Sequence, residues 1–383
     1  MSHFHIQSPS DAEDLRAELA GTRRLALDCE AAGFHRYSDR LCLVQLSTER
    51  STWVVDPLSF APSELLRESL ERPDISVVMH GADFDLRLLR RDLDIGLRGL
   101  FDTQIAAQLL GEEGLGLSAL LESKLGVRLS KKYQRADWAE RPLSDAMLEY
   151  AADDTRYLLR LADILEKDLA DAGRALWAEE ECRALEEAAE MGSEPSQQPE
   201  DPVVRVRGAQ RLSPRQVTAL REALEWRDEI ARTRDRAPFR VVSDGPLIEA
   251  VAAAPREVRE LADIKGFPTR MAHEEGADLV RRLQRVAGLP DEKLRPYPKP
   301  DRRGPGRPTP QIEELAERLK KIRNRRADEV GLSKGTLLAN AVVLDVARSA
   351  PRSLEELAAI DGMRRWKAEL LGKDFLAAIR GAA

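Results

Sequence analysis

Two polar, proline-bearing breaks limit what this chain can fold into. Residues 193–204, SEPSQQPEDPVV, follow a long Ala/Glu/Leu helical pattern over 157–191, and residues 288–310 hold seven prolines among basic side chains. Proline fixes φ and lacks an amide donor, so neither stretch can continue a helix or pair inside a sheet. The spacing therefore predicts linkers at 193–204 and 288–310 that separate segments 1–192, 205–287 and 311–383. At 383 residues the chain is long enough for several cores.

The first segment reads as α/β. Apolar runs predict strands at 24–29, 41–47, 52–56 and 75–79, alternating with helices near 11–20, 62–71, 83–92, 102–110, 116–125 and 144–169. GFHRYSDR forms a hairpin-like connection between the first two strands. The other segments read as wholly helical and resemble each other. PREVRELADIKGF (255–267) matches PRSLEELAAIDGM (351–363) at Pro, Arg, Glu, Leu, Ala, Ile and Gly. Two such stretches mean two copies of one small all-α module rather than a solenoid.

Charge divides the chain as well. Residues 1–204 carry 23 basic and 40 acidic side chains, a net −17, whereas the remainder carries 37 basic and 27 acidic ones, a net +10. A basic half suits a polyanion, and an acidic half that handles the same polyanion needs cations between them. No apolar run approaches the roughly 20 residues of a membrane helix, and MSHFHIQSPSDAEDL has no basic-then-apolar leader. The expectation is a cytoplasmic protein without a membrane partner. Cys29, Cys42 and Cys182 stand alone, with no CxxC, and read as reduced packing residues.

The chemistry concentrates in acidic side chains. RLALDCE (24–30) ends an apolar strand with Asp28 and Glu30 two positions apart, so both project from one face while Cys29 points into the sheet. In VVMHGADFDLRLLRRDL (77–93) a strand gives way to a helix at Asp83 and Asp85, where α/β sites are built. Asp83 reads as a helix N-cap, Asp85 as the site residue, and His80 as hydrogen-bonded structure. In RPLSDAMLEYAADDTRYLLRL (141–161) Ser144 caps a helix on which Tyr150 and Asp154 share a face at i and i+4. Asp153 competes with Asp154, and spacing does not choose between them. Four carboxylates in one pocket require cations, and two divalent ions about 3.5–4 Å apart would satisfy them. Asp102 reads as a helix N-cap outside the site. Lys131, Lys132, Gln134, Arg135 and Trp138 form a basic loop suited to phosphate contact and base stacking, or simply to solvent.

LALDCE, RLCLVQLS, VVMHGADFDLRLLRRDL, LFDTQIAAQLLG, YQRADWAERPLS and YAADDTRYLLRL, in this order over residues 1–169, resemble the ribonuclease D family of 3′→5′ exoribonucleases. The family site comprises three Asp, one Glu and one Tyr. The resemblance implies an RNase H-like exonuclease domain with a mixed sheet flanked by helices, followed by two small helical bundles. It selects Asp28, Glu30, Asp85, Tyr150 and Asp154, preferring Asp85 to Asp83 and Asp154 to Asp153. It also implies two Mg²⁺ or Mn²⁺ ions on the four carboxylates, with Tyr150 orienting the water.

The helical repeats resemble HRDC domains. WRDEIARTRDRAPFRVVSD (226–244) carries the likeness in the first copy (205–287), and LEELAAIDG in the second (311–383), which lacks the Trp-Arg-Asp. The implied function is hydrolytic removal of 3′-terminal nucleotides from single-stranded RNA ends, in tRNA precursor processing or structured RNA trimming, by a monomer. Two alternatives stay open: a DNA exonuclease with the same carboxylates, and a nucleic-acid-binding scaffold on a dead nuclease fold. A lost carboxylate would signal the latter, and none is lost. No GxxxxGK[ST] loop is present, which excludes a fused helicase. The chain departs from the family at Cys29 and Ala31, where Thr and Phe are usual.

Overall fold

In the computed structural model, which describes residues 3–192, 201–298 and 306–381, the first segment builds one six-stranded sheet. Its strands are β1 (His3–Ile6), β2 (Arg24–Ala31), β3 (Leu41–Ser47), β4 (Thr52–Val55), β5 (Ser76–Met79) and β6 (Leu100–Asp102). Their order is β1-β4-β3-β2-β5-β6, with β3 antiparallel to both neighbours and every other pair parallel. Among the described residues this segment has α-helices α1 (Glu13–Ala20), α2 (Ser63–Leu70), α3 (Asp83–Leu88), α4 (Thr103–Leu110), α5 (Leu117–Leu125), α6 (Asp145–Arg156), α7 (Leu158–Asp171) and α8 (Ala175–Met191). The expected mixed sheet flanked by helices is therefore present. Of the predicted linkers, residues 193–200 and 299–305 lie outside the described residues.

Alternation along β2 sorts its side chains between two layers. Leu25, Leu27 and Cys29 pack with Leu15, Leu19, Leu66 and Leu86 from α1, α2 and α3. On the other face Ala26 joins the core beneath α4 and α7, while Leu43 of β3 and Val54 of β4 lie under α6. Every residue of β3 is buried, as a central strand covered on both faces requires.

Three local features depart from the periodicity. β1 and β6 have four and three residues, too short to carry an alternation. The helix expected over 144–169 breaks at Tyr157, whose φ of −110° and ψ of −3° end α6 and begin α7. The helix expected over 83–92 widens into one π turn at Leu89–Leu93 and closes on Asp94 with φ 53°.

The helical modules repeat one another through a constant offset of 96 residues. The first comprises α9 (Pro214–Thr233), α10 (Pro238–Val241), α11 (Asp244–Ala253), α12 (Val258–Ala262) and α13 (Thr269–Ala287). The second comprises α14 (Pro310–Val330), α15 (Lys334–Leu337), α16 (Asn340–Ser349), α17 (Leu354–Ala358) and α18 (Arg365–Arg380). Ala254 and Ala350 both end a helix in the left-handed conformation, at φ 48° and 44°. Arg227 donates to the Val242 carbonyl and to Asp244, and Arg323 makes the same tether to the Leu338 carbonyl and Asn340. The middle residue of Trp-Arg-Asp thus persists in the second copy, while Ile322 and Asn324 replace its neighbours.

The modules attach differently to the nuclease. The first has a separate core around Trp226, Leu220 and Leu279 and grips the loop between β2 and β3. There the Tyr37 hydroxyl donates to Asp228 at 3.0 Å, the Ala237 amide to the His35 carbonyl at 3.0 Å, and Arg240 Nε to the Phe34 carbonyl at 2.8 Å. The second shares one continuous apolar core with α4, α5, α7 and α8. Trp177 stacks on Trp366 with centroids 4.4 Å apart, and Lys367 pairs with Glu181 at 2.7 Å.

Gly111, at φ 79°, ends α4 so close to the second module that a Cβ there would collide with the Gly331 carbonyl oxygen. Gly111→Ala should therefore destabilise the chain by about 1–3 kcal/mol, as overpacking against fixed backbone does. Gly116→Ala, with open space around that position, should be near neutral. Denaturant titration of both variants checks the pair.

Candidate active site

β2 delivers Asp28 and Glu30 to the face covered by α6, and α6 answers with Asp154. Oxygens of these three carboxylates lie within 4.8 Å of one another, and all three side chains are partly accessible. Asp85, in the first turn of α3, is 8% exposed. It is outside that tight group but close enough for its charge to act on Glu30 and for Asp28 to act on it. Tyr150, one turn before Asp154, packs its ring against Tyr133 and Trp138 at 5.9 and 6.0 Å between centroids.

The scaffold behind these groups is fastened by polar contacts. Asp102 accepts from the Gly81 and Ala82 amides at 3.0 and 2.8 Å and from Gln104 at 2.7 Å, which fixes the turn that launches α3 and Asp85. Ser47 and Thr155 share a buried hydrogen bond of 2.8 Å that ties α6 to β3 beside Asp154. Arg141 forks onto the buried Asp56 at 2.7 and 2.8 Å, anchoring the approach to α6. Ser144 caps that helix by accepting from the Met147 amide.

The competing acids are paired. Asp83 is not an N-cap; Ala82 holds that place, and Asp83 pairs with Arg87 at 2.6 Å. Asp153 pairs with Arg156 at 2.7 Å. The His80 ring bonds Thr103 Oγ1 at 2.9 Å, and burial lowers its pKa, consistent with a structural role. Within the basic loop, Lys131, Lys132, Gln134 and Arg135 are exposed. Trp138 is not available for stacking: it is 2% exposed, in the core beneath α6.

Burial also raises Glu166 and Glu186, but arginines oppose it there; the cluster has no such relief. Burial, opposed only weakly by the Cys29 amide, pushes Asp28 up to about 7. Burial, then Asp28 and Asp153, push Asp154 up to about 8. Glu30 and Asp85 are held well above the carboxylate range, by burial first and neighbouring carboxylates second. No basic side chain among the described residues offsets any of them. Oxygen donors this close, poorly hydrated and without a counter-charge, fit hard divalent cations. The same surroundings raise the Tyr150 phenol above its ordinary value, by burial first and by Asp154, Glu30 and Asp28 second.

Such a fold and such a site define a metal-dependent 3′-5′ exonuclease. The sequence profile of the 3′-5′ exonuclease family matches residues 4–170, and that of the HRDC domain matches residues 216–283 and 312–379. Ribonuclease D of Pseudomonas paraeruginosa is 30% identical over 365 residues, covering 94% of this chain and 92% of its own. The exosome complex exonuclease RRP6 of Saccharomyces cerevisiae is 28% identical over 92% of this chain and half of that protein. In structure, Escherichia coli RNase D superposes with a TM-score of 0.68 over 100% of this chain and 99% of its own, at 24% identity. The catalytic core of RRP6 from Trypanosoma brucei gives 0.63 over 75% and 80%, at 28% identity. The chain belongs to the ribonuclease D family, and it is a 3′→5′ exoribonuclease of the type that includes Rrp6.

The raised carboxyls set a pH dependence. Their folded pKa values lie above the usual unfolded ones near 4, so their contribution to stability is full below about pH 4 and is lost as pH rises through about 7 and 8. In chelator the melting temperature should therefore be lower at pH 8 than at pH 6, and Asp28→Asn should flatten that slope. Mn²⁺ should restore more stability at pH 8, where protons no longer compete for the oxygens. Scanning calorimetry in chelator and in Mn²⁺ reads all three.

Proposed function

We propose that this chain removes 3′-terminal nucleotides from RNA by two-metal-ion hydrolysis, with Asp28, Glu30, Asp85 and Asp154 as the metal ligands. The observation that carries this reading is the convergence of Asp28, Glu30 and Asp154, with Asp85 near enough to act on Glu30, without a basic partner. Two divalent ions, Mg²⁺ or Mn²⁺, when bound there supply the Lewis acidity that activates a water and stabilises the departing 3′ oxygen.

The chain's own residues do the rest. β2 and α6 hold the oxygen ligands, and Asp102 fixes the turn that presents Asp85. Tyr150, locked between two aromatic rings, donates its hydroxyl proton to orient the attacking water; its raised pKa makes it a poor base. The substrates in this proposal are single-stranded 3′ ends of structured RNA, tRNA precursors among them, processed in the cytoplasm by a monomer. The two matches to the HRDC domain, a nucleic-acid-binding module, support RNA as the partner.

Asp28→Asn and Asp154→Asn should each abolish shortening of 5′-labelled RNA, by about 10⁴-fold or more. Asp153→Asn, which breaks the ion pair with Arg156 and leaves the four proposed ligands in place, should retain most of the activity. Tyr150→Phe should lower kcat by roughly 10²-fold, the low end for a positioned proton donor. Ladders of equal-sequence RNA and DNA, with 3′-hydroxyl or 3′-phosphate ends, test the reading. Cleavage of DNA alone, or wild-type rates in both Asn variants, would overturn it.

A further inference from the structure

Three phenylalanines lie open to solvent beside the carboxylates. Phe34, Phe84 and Phe239 are 41%, 44% and 49% exposed, and all three line one cavity of about 560 Å³ that also contains Glu30. Phe84 precedes Asp85 on α3, Phe34 follows Glu30 in the loop after β2, and Phe239 comes from α10 of the first helical module. Rings left half in water forgo much of the burial that a core position gives, so folding alone does not account for their placement.

Their charged surroundings are equally specific. The Phe34 and Phe239 rings lie 5.6 Å apart. The Arg240 guanidinium stands 4.7 Å from the Phe34 centroid and 6.0 Å from that of Phe239, and Arg135 stands 5.7 Å from Phe34. Arg240 is held in place by its bond to the Phe34 carbonyl. Exposed rings interleaved with guanidinium groups, continuous with a phosphodiester-cleaving centre, match what single-stranded nucleic acid requires: π faces for bases and positive charge for the backbone.

We propose that Phe239 belongs to the nucleotide-binding site itself, forming with Phe34 a stacking surface for a base near the 3′ end of the RNA, with Phe84 lining the same cleft beside Asp85. The first helical module then acts at the point of reaction, supplying one wall of the cleft, in addition to any grip on distant phosphates. The proposal rests on the exoribonuclease reading above. A base stacked on these rings is recognised by its face, so the site accepts all four bases with little preference.

The test is a single-stranded oligoribonucleotide of four residues, too short to span far beyond the cleft. Phe239→Ala in the full chain should raise its KM by about 5- to 100-fold, the range of one lost stacking contact, with kcat changed much less. Phe239→Tyr should restore the wild-type KM, and Phe239→Leu, which fills space without a π face, should not. In the Asp28→Asn background, where the RNA stays intact, a 3′-terminal 2-aminopurine should be quenched on binding, and Phe239→Ala should remove most of that quenching. Wild-type KM and quenching in Phe239→Ala, or full rescue by Phe239→Leu, would overturn the proposal while leaving the exoribonuclease reading standing. If the wild-type chain failed to shorten the oligomer at all, the exoribonuclease reading would fall and the proposal with it.

Discussion

Everything near the site is organised around like charges held where water is scarce. Asp28, Glu30, Asp85 and Asp154 repel one another and lose hydration, and both effects push their pKa values up. The fold tolerates this because the elements that bear these carboxylates are fastened by groups whose own polar needs are met. Asp102 holds the start of α3, Thr155 holds α6 to β3, and the Arg141–Asp56 fork holds the segment before α6. Rigid surroundings make the repulsion available to a cation as binding free energy rather than letting it relax by movement.

Much of this was legible in the sequence, and where it was not, the reasons are physical. The long apolar runs announced the four central strands, whereas β1 and β6 depend on neighbours distant in the chain. The choices between Asp83 and Asp85, and between Asp153 and Asp154, needed the family likeness, yet a local signal existed. Asp83 has Arg87 at i+4 and Asp153 has Arg156 at i+3, and both become ion pairs. Asp85 and Asp154 have only Leu88, Leu89, Tyr157 and Leu158 at those spacings. The acid without a helical counter-charge is in each case the one that stands unrelieved among the other carboxylates. Trp138 misled because an aromatic in a basic loop gives no hint of its depth. The aromatic cleft was out of reach because Phe34 and Phe239 meet only once the first module has docked.

The two modules show how one design can serve different ends. Their internal tether, Arg227 to Asp244 or Arg323 to Asn340, is the same, but the residue after the arginine is not. Asp228 in the first copy receives the Tyr37 hydroxyl of the nuclease, whereas Asn324 in the second accepts from its own neighbour Arg323. The first copy therefore steadies the loop that leaves Glu30, through polar contacts at the rim of a core on which Tyr37 of that loop also packs. The second contributes hydrophobic surface to the nuclease instead.

That shared core has a bearing on how the protein is made. The helices α4, α5, α7 and α8 leave the ribosome with apolar side chains whose covering, from Leu315 to Phe375, has not yet been translated. At roughly 5–20 residues per second, the nuclease waits on the order of ten to forty seconds for its last wall, with the first module, whose core is a separate one, emerging in the interval. During that interval the catalytic domain is an unfinished intermediate with sticky surface, and the chain's need for chaperone protection should be concentrated there rather than at its N-terminus.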